Sequence, residues 1–138
     1  MRQTLFELGD FTLHSGAKAT YKIECDALTD EDWAGLAHMV SLRTKQIAMM
    51  CSAGEGTGIN RVHGVPRGGV KFAEALQKYA GDTETGVDLI VDDVLTTGNS
   101  MEEAKRNLGW SNAHGVVVFA RDYCPSWVQP IFSMSFFK

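Results

Sequence analysis

The chain has 138 residues, 44% of them hydrophobic and 22% charged, which suits one globular domain with a modest core and excludes two. Its 13 Lys and Arg stand against 17 Asp and Glu, a net charge of −4 that leaves no basic footprint for nucleic acid. Phosphorylated metabolites stay open, because loop backbone and helix ends can hold phosphate on an acidic protein.

Cys25, Cys51 and Cys124 are scattered and odd in number. That argues against a disulfide framework or structural zinc and fits a reducing compartment. The first residues lack the apolar stretch of a signal peptide, and the longest apolar run, Val116 to Ala120, is far below membrane-spanning length. The expectation is a cytoplasmic protein with no membrane partner.

The predicted elements begin with a helix. Thr29 and Asp32 make a capping box, an acidic first turn follows, and Trp33, Leu36, Ala37, Val40, Ile47 and Cys51 recur at helical spacing, predicting a helix over 30–51. Residues 52–60 read as a loop. Its Gly54, Gly56 and Gly58 follow a helix and precede a strand, the reverse of a dinucleotide fingerprint, so a connector is predicted. Arg61 to Val65 is a strand entering a turn, Pro66-Arg67-Gly68-Gly69. Val70 to Ala80 reads as a helix, with Phe72, Ala73, Leu76, Tyr79 and Ala80 as its buried stripe and Gly81 as its stop. Val87 to Val91 is a second strand, running into Asp92-Asp93 and a turn over 95–100. Ser100 and Glu103 then read as a capping box for a short helix whose Ala104 and Leu108 face inward and which Gly109 ends. Val116 to Ala120 is a third strand. Strands alternating with helices predict an α/β domain over 1–138, a parallel sheet flanked by helices.

In such sheets ligands bind beyond the carboxyl ends of the strands. There the sequence places Leu89-Ile90-Val91-Asp92-Asp93-Val94-Leu95-Thr96-Thr97-Gly98-Asn99-Ser100. The hydroxyl- and glycine-rich turn, opening a helix, offers hydrogen-bond donors and a helix dipole to one phosphate. Two carboxylates suit sugar hydroxyls and a hydrated magnesium ion. Together they describe a phosphorylated ribose.

This stretch resembles the phosphoribosyl pyrophosphate motif of type I phosphoribosyltransferases. Gly64-Val65-Pro66-Arg67-Gly68-Gly69 resembles the same family's pyrophosphate loop, in which members often carry a non-proline cis peptide, here expected near Arg67–Gly68. Leu13 to Tyr21, on its own an ordinary hairpin, is similar to the start of orotate phosphoribosyltransferases: Ser15, Gly16 and Tyr21 match, Thr20 is one place beyond the expected serine, and Lys18 supplies a charge. Arg121 falls where the orotate enzymes place an arginine that reads the base, and could equally pair with Asp122. Thr96 stands where purine-type members carry an aspartate. Trp127 to Phe132 resembles instead the hood of some purine enzymes, with Trp127 as a stacking platform or as core.

The resemblance implies a reduced phosphoribosyltransferase-like core with a small N- and C-terminal hood, using magnesium to transfer phosphoribosyl from phosphoribosyl pyrophosphate to a nucleobase. Asp92 and Asp93 would hold the ribose diol and the metal. Thr96, Thr97, Gly98, Asn99 and Ser100 would seat the 5′-phosphate, and Pro66, Arg67, Gly68 and Gly69 the pyrophosphate. Ser15, Lys18, Arg121 and Trp127 would meet the base, with Lys18, Arg67 and Asp93 as catalytic residues. A homodimer is the family default. The sequence departs from the family between Gly81 and Val87, where members have a further strand and a mobile lid. The turn over 82–86 is acidic and has no Lys or Arg, so Lys18, Arg67, Arg43 or a second subunit would have to replace the lid. A ligand-binding or regulatory protein with weak or no catalysis is the alternative.

Overall fold

The computed structural model describes residues 4–13, 16–51, 58–81 and 86–134, with the side chains of the first helix described as far as Lys45. Six strands and three helices follow in the order β1 (Phe6–Thr12), β2 (Lys18–Ile23), α1 (Asp30–Cys51), β3 (Ile59–Gly64), α2 (Val70–Leu76), β4 (Val87–Leu95), α3 (Asn99–Leu108), β5 (His114–Ala120) and β6 (Val128–Ser133). The core is a four-stranded sheet in the order β3-β4-β5-β6, parallel at every pairing. β1 and β2 form a separate antiparallel hairpin, the N-terminal hood.

Helix α1 spans the predicted residues. The Thr29 hydroxyl accepts the Asp32 amide at 3.1 Å and the Asp32 carboxylate accepts the Thr29 amide at 2.9 Å, so two otherwise orphaned donors are satisfied. Trp33, Ala37 and Val40 are buried as the spacing requires. Thr44 is buried too, and its hydroxyl donates back to the Ser41 carbonyl at 3.1 Å, which removes the cost of an unpaired polar group.

Helices α1 and α2 cover one face of the sheet, with Trp33 against Phe72 over Leu89 and Val91. On the other face, Met101 of α3 packs on Ile90, Val117 and Val128. Burying each large apolar side chain contributes about 1.5–3 kcal/mol, so these two layers dominate stability. Among the described residues no helix is long and apolar enough to cross a membrane.

Several elements differ from the sequence reading: β3 begins at Ile59, inside the predicted loop, and ends at Gly64, and β5 begins at His114. α2 ends at Leu76 and tightens into a 3-10 turn over Gln77–Tyr79, leaving Tyr79 and Ala80 only partly buried. This turn caps the sheet edge: the Gly81 amide donates to the Asn60 carbonyl at 2.8 Å and Gln77 Nε2 to the Val62 carbonyl at 3.4 Å. Backbone groups of the edge strand β3 are thereby occupied. The acidic turn predicted over 82–86 lies, but for Gly86, outside the described residues.

β4 runs on to Leu95, because β5 pairs with it as far as Leu95↔Ala120; Asp92 and Asp93 therefore lie in the strand and the turn starts at Thr96. Ser100 does not cap α3. The cap is Gly98, in the left-handed region at φ 84°, and Ser100 falls inside the first turn. The segment Trp127 to Phe132 is not a hood: Val128–Ser133 is the parallel edge strand β6, paired with β5 from Gly115↔Val128 to Ala120↔Ser133.

Candidate functional site

The two phosphate-type loops converge because β3 is short. It stops at Gly64, level with Val91 of β4, while β4 continues four residues further. The turn after β3 folds into the space left beside Asp92 and Asp93, with the Val65 amide donating to the Val91 carbonyl at 2.9 Å. The peptide bond between Pro66 and Arg67 is cis, one bond before the expected position.

Two glycines make this approach possible. A Cβ on Gly68 would overlap the Asp93 carboxylate, and one on Gly69 would overlap the Val91 carbonyl. Gly68 and Arg67 are exposed at the tip, whereas Gly69 is buried against the sheet. The loop resembling a pyrophosphate cradle therefore sits directly on the acid pair.

The carboxylates are held from below. Asp92 Oδ1 accepts the Asp93 amide at 2.8 Å, and Asp93 Oδ1 accepts the Val94 amide at 2.7 Å. Asp92 is buried and Asp93 half-buried. Burial, first, and the neighbouring Asp93 carboxylate, second, hold the Asp92 carboxyl well above the usual carboxylate range. Cys25, in a short 3-10 turn over Cys25–Ala27, is pushed up by its own burial and then by the charges of Asp93, Asp26 and Asp92; a thiol so placed is not a nucleophile.

Among the described residues no cluster of three or more metal-ligating side chains occurs. Two adjacent carboxylates fit a divalent ion that draws the rest of its shell from water and substrate oxygens, as magnesium does.

Beyond Leu95, Thr96 to Ser100 turn into α3. The Thr97 hydroxyl accepts the Asn99 amide at 3.3 Å, and no side chain caps the helix. Pro125 packs at 3.3 Å from a Cβ placed on Gly98, fixing the turn from behind. Thr97, Asn99 and Ser100 are exposed. First-turn amides and hydroxyls thus present themselves together at the positive end of the helix dipole.

The hairpin closes the other side. A cavity of about 700 Å³ lies between β1–β2 and the strand ends, and its lining includes Lys18, Thr96, Thr97 and Arg121. Arg121 Nη2 donates to the Tyr21 carbonyl at 2.6 Å, and the guanidinium lies 3.9 Å from the Tyr21 ring centre. Lys18 Nζ donates to the Thr12 hydroxyl across the hairpin at 2.8 Å. The Phe6 ring meets Phe119 edge-on at 5.5 Å, anchoring the hairpin base.

Lys18, Arg121, Thr96 and Thr97 therefore meet at one cavity, and Gly68 meets Asp93. Trp127 and Arg43 are not brought there. Trp127 lies at the start of β6, against the position of Gly115 at the opposite end of the sheet; its indole N–H donates to Glu102 at 2.7 Å and Lys105 covers its ring at 4.4 Å. Arg43 lines a second cavity, of about 490 Å³, with Val87 and His114 at that same far end. Ser15 lies outside the described residues. The sequence reading missed Asp10, Thr12 and Cys25. Thr12 had a local signal, since the pairing of β1 with β2 sets it opposite Lys18; Asp10 and Cys25 had none.

No protein-family model and no curated sequence matches the chain. Solved structures do match. Orotate phosphoribosyltransferase from Aeropyrum pernix aligns at TM-score 0.69 and 19% identity, over 96% of this chain and 89% of that one. The enzyme of the same name from Mycobacterium tuberculosis aligns at TM-score 0.62 and 16% identity, over 97% and 92%. Leishmania donovani UMP synthase aligns at TM-score 0.59 and 17% identity, over 94% of this chain and 33% of that longer one. Taken with the parallel sheet, the acid pair and the two loops, these matches give the chain the type I phosphoribosyltransferase fold, in the form seen in the orotate phosphoribosyltransferases.

Proposed function

We propose that this chain binds phosphoribosyl pyrophosphate with magnesium and transfers its phosphoribosyl group to a nucleobase, releasing pyrophosphate, as a pentosyltransferase. The observation that carries the proposal is the contact of Gly68 with Asp93, which joins a pyrophosphate-type loop to a ribose-type acid pair in one site. In this reading the exposed amides and hydroxyls of Thr96 to Ser100 bind the 5′-phosphate. Asp92 and Asp93 accept the ribose hydroxyls and hold the metal, which when bound offsets charge on the departing pyrophosphate. Pro66 to Gly69 wrap that pyrophosphate, and Arg67 at the exposed tip supplies a cation.

The C1–oxygen bond breaks with its electron pair leaving on pyrophosphate, a base nitrogen forms the new bond to C1, and the nitrogen's proton goes to solvent. Asp93, beneath the sugar, stabilises the positive charge that develops there. Lys18 and Arg121 orient the base under the hairpin. A cytoplasmic homodimer is part of the same proposal, by resemblance to the family.

A second reading, a ligand-binding protein without turnover, is favoured by the five residues separating Gly81 from Val87, where the family inserts a strand and lid. Each absent lid charge corresponds to about 10²–10³ in rate, by analogy with single-donor deletions. Pyrophosphate release is the test: the purified protein is given magnesium, phosphoribosyl pyrophosphate and a panel of bases. Base-dependent release establishes the transferase; no release with any base in the panel removes it, and leaves the binding protein where phosphoribosyl pyrophosphate still binds.

A further inference from the structure

Arg121 follows the last residue of β5, and its backbone amide donates at 3.0 Å to the carbonyl of Leu95, the last residue of the strand that carries Asp92 and Asp93. Its side chain crosses to the hairpin. Nη2 donates to the Tyr21 carbonyl at 2.6 Å, and the guanidinium carbon lies 3.9 Å from the centre of the Tyr21 ring. One residue of β2, 100 positions away in sequence, thus holds the guanidinium both by an acceptor and by an aromatic face. The Tyr21 ring is itself braced. It alternates with exposed neighbours along β2, on the same face as the buried Ile23, and packs against the core cluster that includes Trp33, Phe72 and Phe119.

Resting on the function proposed above, we infer that Tyr21 is a positioning residue for the base: its ring fixes the Arg121 guanidinium at the cavity that both residues line with Thr96 and Thr97. A long, flexible side chain that is already oriented loses less freedom when a ligand arrives, and so binds it more tightly. The Tyr21 carbonyl takes one of the five N–H donors of the guanidinium, and the remaining donors are left for acceptors on the base. Arg121 is half-buried, and a cation held on an aromatic face gains as water is excluded around it. The carbonyl belongs to the backbone and survives any substitution at position 21. The ring is the part that a substitution can remove, and the phenol hydroxyl plays no role in the arrangement.

The test is a double-mutant cycle read on ligands that cannot turn over. Ribose 5-phosphate and the adenosine, guanosine, cytidine, uridine and orotidine 5′-monophosphates are titrated separately, with magnesium, into the protein. The gain of the tightest nucleotide over ribose 5-phosphate measures what the base contributes. Tyr21→Leu should cut that gain by about 3- to 30-fold and leave ribose 5-phosphate affinity unchanged, whereas Tyr21→Phe should keep it within about twofold. Arg121→Ala should remove most of the gain, and adding Tyr21→Leu to it should cost nothing further, because the ring acts through the guanidinium. Circular dichroism checks each fold, and Tyr21→Ile, better suited to a strand, replaces a Tyr21→Leu protein that does not fold. If ribose 5-phosphate does not bind to wild type, the proposed function fails and this inference with it. If it binds and no nucleotide gains over it, the inference alone is overturned. The same holds if Tyr21→Leu leaves the gain intact, if Tyr21→Phe loses as much, or if Tyr21→Leu costs as much without Arg121 as with it.

Discussion

Gly68→Ala is a substitution that the site geometry does not accommodate. A Cβ there overlaps all three atoms of the Asp93 carboxyl group. The carboxylate cannot swing aside freely, because Oδ1 holds the Val94 amide at 2.7 Å. Nor can the loop retreat freely, because the Gly69 amide behind it donates to the Val65 carbonyl at 2.8 Å and the space beside Gly69 has no room even for a Cβ. Overpacking of this kind costs about 1–3 kcal/mol and a broken hydrogen bond adds about 1 kcal/mol. For a chain of this size a loss of about 2–3 kcal/mol lowers Tm by roughly 6–12 °C. Gly109→Ala is the comparison: it stands at positive φ, 68°, but its Cβ would meet nothing within 4 Å. It should cost about 1 kcal/mol from backbone strain alone. Thermal melts of both variants, followed by titration with magnesium and phosphoribosyl pyrophosphate, read the difference. Gly68→Ala should melt several degrees below Gly109→Ala and lose the ligand. Equal melting points, or full affinity in Gly68→Ala, would refute the packing of the loop on the acid.

Asp92→Asn should stabilise the ligand-free protein while weakening ligand binding. A carboxyl whose folded pKa lies above its unfolded value costs stability once the pH passes that unfolded value, about 4, and the cost grows until the folded pKa is reached. In EDTA the variant should therefore melt higher than wild type at pH 7.5, by about 1–3 kcal/mol, with the two curves converging near pH 4; a lower melting point at every pH would contradict this. Asp88 has the opposite sign. Hydrogen bonds from Arg61 at 2.7 and 3.0 Å and from Asn60 at 3.1 Å hold it below the usual range, so its contribution is present above about pH 4 and disappears as acid protonates it. Because Arg61 is half exposed, Asp88→Asn should cost only about 0.5–1 kcal/mol at pH 7, and progressively less as the pH falls below about 4. A loss independent of pH would place the effect in packing instead.

Local chemistry made much of this fold legible. The Thr29–Asp32 box and the Trp33–Ala37–Val40 stripe fix α1, since both signals act within a few residues. The run to Asp92-Asp93 and the Thr-Thr-Gly turn announced the site because a phosphate turn must open a helix. What failed depended on partners distant in sequence. β4 lengthens because β5 lies beside it, and a local reading stops at the first charge. Ser100 and Glu103 match a capping box by spacing, but a left-handed Gly98 starts the helix earlier. Trp127 to Phe132 has the composition of either a hood or an edge strand. Pairing with β5, which no local pattern specifies, decides for the strand. Asp10 joins the cavity only once the hairpin folds over the strand ends.

The central claim is that the acid pair and the two loops form one phosphoribosyl site. Calorimetric titration with magnesium and phosphoribosyl pyrophosphate tests it most directly, comparing wild type with the Asp92→Asn, Asp93→Asn double variant. The prediction is one-to-one binding to wild type and none to the variant, with the circular dichroism of both proteins alike. Absence of binding to wild type, or undiminished binding to a folded variant, would contradict it.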